Sequence, residues 1–315
     1  MSTLDPVEDL LSVAVAHLTR RPCPPTLAAA LSDAVFPGGG RVRPKLVLSV
    51  AEAVGGDGSE ADTAARHVLA RAGAAAVELL HCASLVHDDL PCFDDADFRR
   101  GRPTVHAAYG ESTAVLVGDA LIVASFEVIT RAALQPGCAE RAVRMLVALA
   151  DAAGAPRGIA AGQAWEAEKN IDLAAYHDAK TGALFEAAVV MGALAAGGDA
   201  AGWRPVGRLL GEAYQLADDL ADASGRADKL GKPVRQDARH DRPNAAFELG
   251  QGQAAHRLRG ALDGACEAIP ACADRARLQD MVRAVGMRLL SAVGYAPMQS
   301  VRTPHEPMAE QAANG

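Results

Sequence analysis

Five aspartates, Asp88, Asp89, Asp94, Asp95 and Asp97, stand within ten residues of one another in a chain of 315, and Arg99, Arg100 and Arg102 follow at once. They end the apolar stretch LLHCASLVH, which reads as a helix. A helix C-terminus is the wrong end for acids, because the macrodipole there favours cations. Something has to compensate, and clustered hard oxygen donors without histidine or thiolate partners suit Mg²⁺. That ion takes few carboxylates and completes its shell with water and substrate phosphates. The forked donors of the neighbouring guanidinium groups suit the remaining phosphate oxygens. Acid clusters in general are solvated turns; here the apolar run before the acids and the cations after them point to a site.

A second acidic set lies far downstream in YQLADDLADASG, residues 214–225. On a helix Gln215, Asp218 and Asp222 form one stripe at i, i+3 and i+7, with Asp219 beside it. Asp218 and Asp222 repel each other at that spacing unless a cation bridges them. Lys180 and Thr181 stand in the KTG of an otherwise apolar helix, and Lys232 in the GKP of a tight turn. Two aspartate sets and two lysines make a box for a diphosphate held by several Mg²⁺ ions.

The scaffold that positions them reads as helical. Half the chain is apolar but only 4% aromatic, and alanine and leucine abound, which disfavours an all-β fold. Helical periodicity is found over residues 4–20, 60–88, 112–134, 139–153, 172–196, 204–223, 242–262 and 274–294. Pro22, Pro24 and Pro25 stop the first stretch, and the turn PGGGRVRP opens the next. With no repeat and no linker, the expectation is one all-α domain over residues 1–295 and a disordered tail over 296–315. A net charge of −8 argues against nucleic-acid binding, which needs a basic surface. The acidic N-terminus lacks the basic start of a signal peptide, and carboxylates interrupt the apolar stretches early. A cytoplasmic location without stable membrane insertion is expected. The six cysteines form no CxxC pair and read as free, mostly buried thiols.

In the order of these motifs the chain resembles the polyprenyl (isoprenyl) diphosphate synthase family over nearly its whole length. DDLPCFDD is similar to the family's first Asp-rich motif in its longer DDxxxxD form, DDADFRRGRP to its Arg continuation, and ADDLAD to the second DDxxD. HCASLVHDD resembles the segment whose first histidine, here His81, helps hold isopentenyl diphosphate. GGGRVRP resembles GGKRxRP, which implies roles for Arg41 and Arg43 at the same diphosphate; Gly40 stands where many members carry lysine. PGGGRVRP, AGQAWE, AYHDAKTGALF and GKPVRQD look most like the geranylgeranyl diphosphate synthases of photosynthetic bacteria, which serve carotenoid and bacteriochlorophyll synthesis.

The resemblance implies a homodimeric isoprenoid synthase fold, with antiparallel helices around a central cavity and the two Asp motifs facing across its mouth. It implies Mg²⁺-dependent head-to-tail condensation of isopentenyl diphosphate with an allylic diphosphate (dimethylallyl, geranyl or farnesyl), with three Mg²⁺ in each active site. Asp88, Asp89 and Asp94 on one wall and Asp218 and Asp222 on the other would ligate metal, and Asp88, Asp94, Asp218 and Lys180 would form the catalytic set. Arg99, Lys180 and Lys232 would add fixed charge at the allylic diphosphate, Thr181 and Gln215 would line the cation's path, and Arg41, Arg43, His81 and Arg100 would orient isopentenyl diphosphate. His87 and His106 read as structural.

Product length depends on the pocket below Asp88. Ser84 lies one turn down the same face, and Ala83 lies five residues before Asp88, roughly 7.5 Å along the axis. Both are small, where shorter-product bacterial relatives tend to carry an aromatic residue at the Ala83 position, so geranylgeranyl diphosphate is the expected product. Farnesyl diphosphate synthase and a catalytically silent partner subunit are the alternatives; silent subunits tend to lose one Asp motif, and both are intact here. Terpene cyclases usually carry a mixed Asn/Ser/Glu triad in place of the second motif, and head-to-head synthases lack the RRGRP continuation.

Overall fold

The computed structural model describes residues 6–36, 38–56, 58–224 and 244–295, so Lys232 and the tail from residue 296 lie outside the described residues. The order is α1 (Pro6–Leu18), α2 (Pro25–Val35), α3 (Val42–Gly55), α4 (Glu60–Asp88), a ribbon of β1 (Phe98–Arg99) and β2 (Arg102–Pro103), then α5 (Val105–Tyr109), α6 (Glu111–Ala133) and α7 (Ala139–Ala153). There follow α8 (Ile159–Trp165), α9 (Leu173–His177), one π-helical turn at Asp178–Gly182, α10 (Ala183–Ala195), α11 (Arg204–Ala223), α12 (Ala245–Leu249), α13 (Gln251–Ala268) and α14 (Arg275–Ala292).

Most helices fall where the periodicity puts them, and the departures have local causes. Pro25 stops nothing: it occupies the first turn of α2, where proline's missing N–H is not needed and its fixed φ suits the helix. The stretch 172–196 is interrupted by the π turn, and 242–262 is broken at Gly250, whose φ of 80° an L-residue adopts only with strain. The short helices α5 and α8 and the β ribbon carry too few residues for a periodic signal.

Nearly every side chain of α10 is buried, as befits a helix apolar on all sides, and α3, α4, α7 and α11 pack around it. Its approach to α11 is close enough that a Cβ on Gly211 would fall 2.5 Å from the Gly182 Cα, so glycine is required where α11 crosses the π turn. The 29-residue α4, about 43 Å long, joins this core to a second cluster shared with α1, α2 and α6. A third cluster lies between α11 and α12 to α14.

Among the described residues two helices are long and apolar enough to cross a membrane, against the expectation that carboxylates interrupt such stretches. In α4 72% of that window is buried, the mark of a core helix; in α6 only 39% is, leaving Val115, Leu116 and Val123 exposed. All six cysteines are free, two of them buried and Cys92 exposed.

Candidate active site

The first wall is made where α4 ends. Past Asp88 the chain turns back on itself: the Asp94 N–H donates to the Asp88 carbonyl (2.8 Å) and the Ala96 N–H to that of Asp89 (3.2 Å). These bonds satisfy carbonyls that the helix end leaves open and bring two acids six apart in sequence onto the cavity. The ribbon then reverses through Arg100 and Gly101, both at positive φ (53° and 76°), as a type I′ hairpin requires. One strand aims Arg99 at Asp89, with Nε 2.9 and 3.0 Å from the two carboxylate oxygens. The turn lays the Arg100 guanidinium under Gly39, where a Cβ would fall 2.5 Å from Nη2.

The second wall is α11. Gln215 accepts a hydrogen bond from the Thr181 hydroxyl (2.6 Å) and donates to Asp219 (2.9 Å), tying α11 to the π turn that carries Lys180. Asp219, buried, also accepts from the Ala245 N–H (2.9 Å), so it holds α12 and turns away from the cavity. Asp218 and Asp222 face the cavity.

Between the walls lies a cavity of about 300 Å³. It brings together Asp88, Asp94, Asp218, Asp222, Lys180, Thr181, Gln215, Arg43, His81, Arg99, Arg100 and Ser84. Three expected positions differ. Asp89 is buried against Arg99 and does not line the cavity, so its carboxylate holds the ribbon in place of a metal. Arg41 reaches the cavity wall, but four hydrogen bonds to Glu8, Glu78 and the Val35 carbonyl occupy its guanidinium, a holding role in place of a substrate contact. Ala83 is buried among Leu79, Val117 and Leu121, behind the wall that Ser84 forms. His87 and His106 donate to the Val115 and Ala96 carbonyls and line no part of the cavity.

The polyprenyl synthetase family model matches residues 24–266, which spans both walls. The chain belongs to that family. This polyprenyl synthetase is 52% identical over 287 residues to the geranylgeranyl diphosphate synthase of Cereibacter sphaeroides, covering 91% of this chain and 96% of that one. It is 47% identical over 285 residues to the enzyme of the same name from Rhodobacter capsulatus, covering 90% and 95%. Among solved structures it is similar to the geranyltransferase of Helicobacter pylori complexed with magnesium and isoprenyl diphosphate, with a TM-score of 0.73, 28% identity and coverage of 92% and 100%. Polyprenyl synthetases are prenyltransferases that condense isopentenyl diphosphate head to tail with an allylic diphosphate, and this chain is one of them.

The acids of this polyprenyl synthetase fit Mg²⁺. The donors are oxygen only, and burial pushes the Asp88 carboxyl above the usual carboxylate range; Asp94 and Glu166 push the same way, while Lys180 and Arg99 oppose. A carboxylate so disfavoured as an anion is relieved by a bound cation. Mg²⁺ takes few carboxylates and draws on water and phosphate for the rest of its shell, and Asp88, Asp94, Asp218 and Asp222 offer it oxygen donors from both walls.

Glu166 and His177 join the site without belonging to either aspartate motif. Glu166 sits just past α8 and accepts from the Tyr176 hydroxyl (2.8 Å), from Gln163 through its second oxygen (2.9 Å), and from Lys180. Its signal was the one used for Asp88, an acid at the wrong end of an apolar helix, but AGQAWE offers only a single acid there.

His177 lies 3.8 Å from Asp219, and burial holds its imidazole down to about 4; Arg257 and Lys180 push the same way and Asp218 opposes. The unfolded chain therefore binds a proton below about pH 6.5 that the folded one refuses, and stability is lost as pH falls toward the folded value. Wild type is expected to lose about 2 kcal/mol more than His177→Gln between about pH 7 and about pH 4.5, read by urea unfolding. Equal losses would remove the role of this histidine.

Proposed function

We propose that this polyprenyl synthetase makes geranylgeranyl diphosphate by adding isopentenyl diphosphate to dimethylallyl, geranyl and farnesyl diphosphates in turn. The observation that carries this reading is one cavity with two acidic walls, a separate arginine and histidine side, and small Ser84 below Asp88. Asp88, Asp94, Asp218 and Asp222 would hold three Mg²⁺ ions, which would supply positive charge against that developing on the departing allylic diphosphate. Lys180 exchanges Glu166 for a diphosphate oxygen, and Arg99, steadied by Asp89, adds a fixed positive charge beside it. The linked Thr181 and Gln215 turn their dipoles toward the path of the allylic cation. Arg43, stacked on Phe185 at 4.3 Å, joins His81 and Arg100 in orienting isopentenyl diphosphate for attack. The purified chain, incubated with Mg²⁺, isopentenyl diphosphate and each primer, is expected to accumulate the C20 product from all three. Chromatography of dephosphorylated products reads this out: a C15 end point would make it a farnesyl diphosphate synthase, and no product a silent partner subunit.

The enzyme works as a homodimer joined through α6 and α7. Val115, Leu116 and Val123 on α6 and Val143 and Val147 on α7 are exposed, while the charged Asp119, Glu127 and Arg131 on α6 suit a protein partner better than lipid. Leu116→Glu with Val123→Glu is expected to yield a folded monomer by light scattering. A dimer that survives both changes would place the interface elsewhere.

A further inference from the structure

Arg41 begins α3 in the left-handed region, at φ 47°, and its buried guanidinium folds back beneath the glycine turn that precedes it. A Cβ on Gly38 would lie 2.1 Å from its Cζ, as one on Gly39 would lie 2.5 Å from Arg100. The turn thus rests on two guanidinium heads, and Arg43 follows two residues later. What fixes the Arg41 head comes from two other helices. Glu78 of α4 accepts from Nη1 (2.7 Å), and Glu8 of α1 accepts from Nε (2.7 Å) and Nη2 (3.3 Å).

The charges are shared as well. Burial disfavours the cationic form of both Arg43 and Arg100, and the carboxylate of Glu78 opposes that at each, as it does at Arg41. The Glu78 carboxylate thus bears on all three guanidiniums, and Glu8 shares Arg41 with it. With Glu8 neutralised, Arg41 loses its charge-assisted bonds from Nε and Nη2 and is held through Glu78 and the Val35 carbonyl, so the head that fills the space under the glycine turn is less firmly fixed.

We propose that Glu8 is a positioning residue for the isopentenyl diphosphate side of the cavity, acting through Arg41 on the Gly38–Gly40 turn, Arg43 and Arg100. The inference rests on the assignment of Arg43, His81 and Arg100 to that substrate. Glu8 lies 33 residues before Arg41 and lines no part of the cavity, so its bonds reach the site through Arg41.

Steady-state kinetics with farnesyl and isopentenyl diphosphates test this. Glu8→Gln should raise the KM for isopentenyl diphosphate about fivefold to tenfold, a part of what a charge-assisted hydrogen bond is worth, and leave kcat and the KM for farnesyl diphosphate within about twofold. Glu8→Asp, which keeps the charge, should recover most of that loss. Both KM values rising together, kcat falling alone, or no change would overturn the proposal. Thermal unfolding of each variant separates loosening of α1 from loss of position: a KM change that tracks the unfolding temperature and is not recovered in Glu8→Asp also overturns it. Arg43→Gln is the reference. If it leaves the KM for isopentenyl diphosphate unchanged, the substrate assignment fails and the proposal with it; if it raises that KM and Glu8→Gln does not, only the proposal fails.

Discussion

Asp88→Ala is expected to lower turnover roughly a hundredfold or more at saturating Mg²⁺ while leaving the fold intact. The turnover loss follows from its place: Asp88 faces the cavity with Asp94 folded back onto it, opposite Asp218 and Asp222. The stability expectation follows from the sign of its pKa shift. Burial raises the Asp88 carboxyl in the folded chain, so where it is ionised in the metal-free protein it costs folding free energy. Removing it takes away that cost, and the metal-free variant should unfold no lower than wild type. Adding Mg²⁺ with diphosphate should then raise the unfolding temperature of wild type, by preferential binding to the folded state, and barely move the variant. Near-normal turnover at saturating Mg²⁺ would refute the role of Asp88.

Ser84→Phe carries the second large effect, a change of main product from geranylgeranyl to farnesyl diphosphate. Ser84 lies on the cavity wall one turn below Asp88, its hydroxyl donated to the His81 carbonyl (2.9 Å), so a ring there enters the space the growing tail needs. Ala83→Tyr acts from behind. At 1% exposure Ala83 has no room for a phenol, and overpacking between α4 and α6 costs about 1–3 kcal/mol unless the ring escapes toward the cavity. The two variants therefore differ: Ser84→Phe shortens the product at little cost in stability, whereas Ala83→Tyr shortens it only as far as its ring reaches the cavity and otherwise lowers the unfolding temperature. A C20 product from Ser84→Phe would disprove this wall as the stop.

What could be read from the sequence was whatever depends on neighbours along a helix. The stripe of Gln215, Asp218 and Asp222 and the runs of α4, α6 and α11 are properties of local periodicity, and the motif order led to one cavity. Contacts made across the fold were not legible. That Asp89 faces Arg99 depends on a hairpin of two-residue strands, and that Arg41 is spent on Glu8 and Glu78 depends on where α1 and α4 cross. Ala83 and Ser84 show the limit most plainly, since adjacent helical positions point about 100° apart and only packing decides which one meets the cavity. Glu166 escaped because its partners come from α9 and the π turn, an irregularity no periodic pattern announces.

Catalysis as proposed requires the two acidic walls to grip one diphosphate. Calorimetric titration of unreactive farnesyl thiodiphosphate in Mg²⁺ tests it most directly, with wild type, Asp88→Ala, Asp218→Ala and the double variant. One site per chain is expected for wild type, each single change should weaken binding about tenfold or more, and the double change should add little, because groups acting as a unit are not additive. Wild-type affinity in Asp218→Ala, or losses that simply sum, would mean that the two motifs serve separate sites.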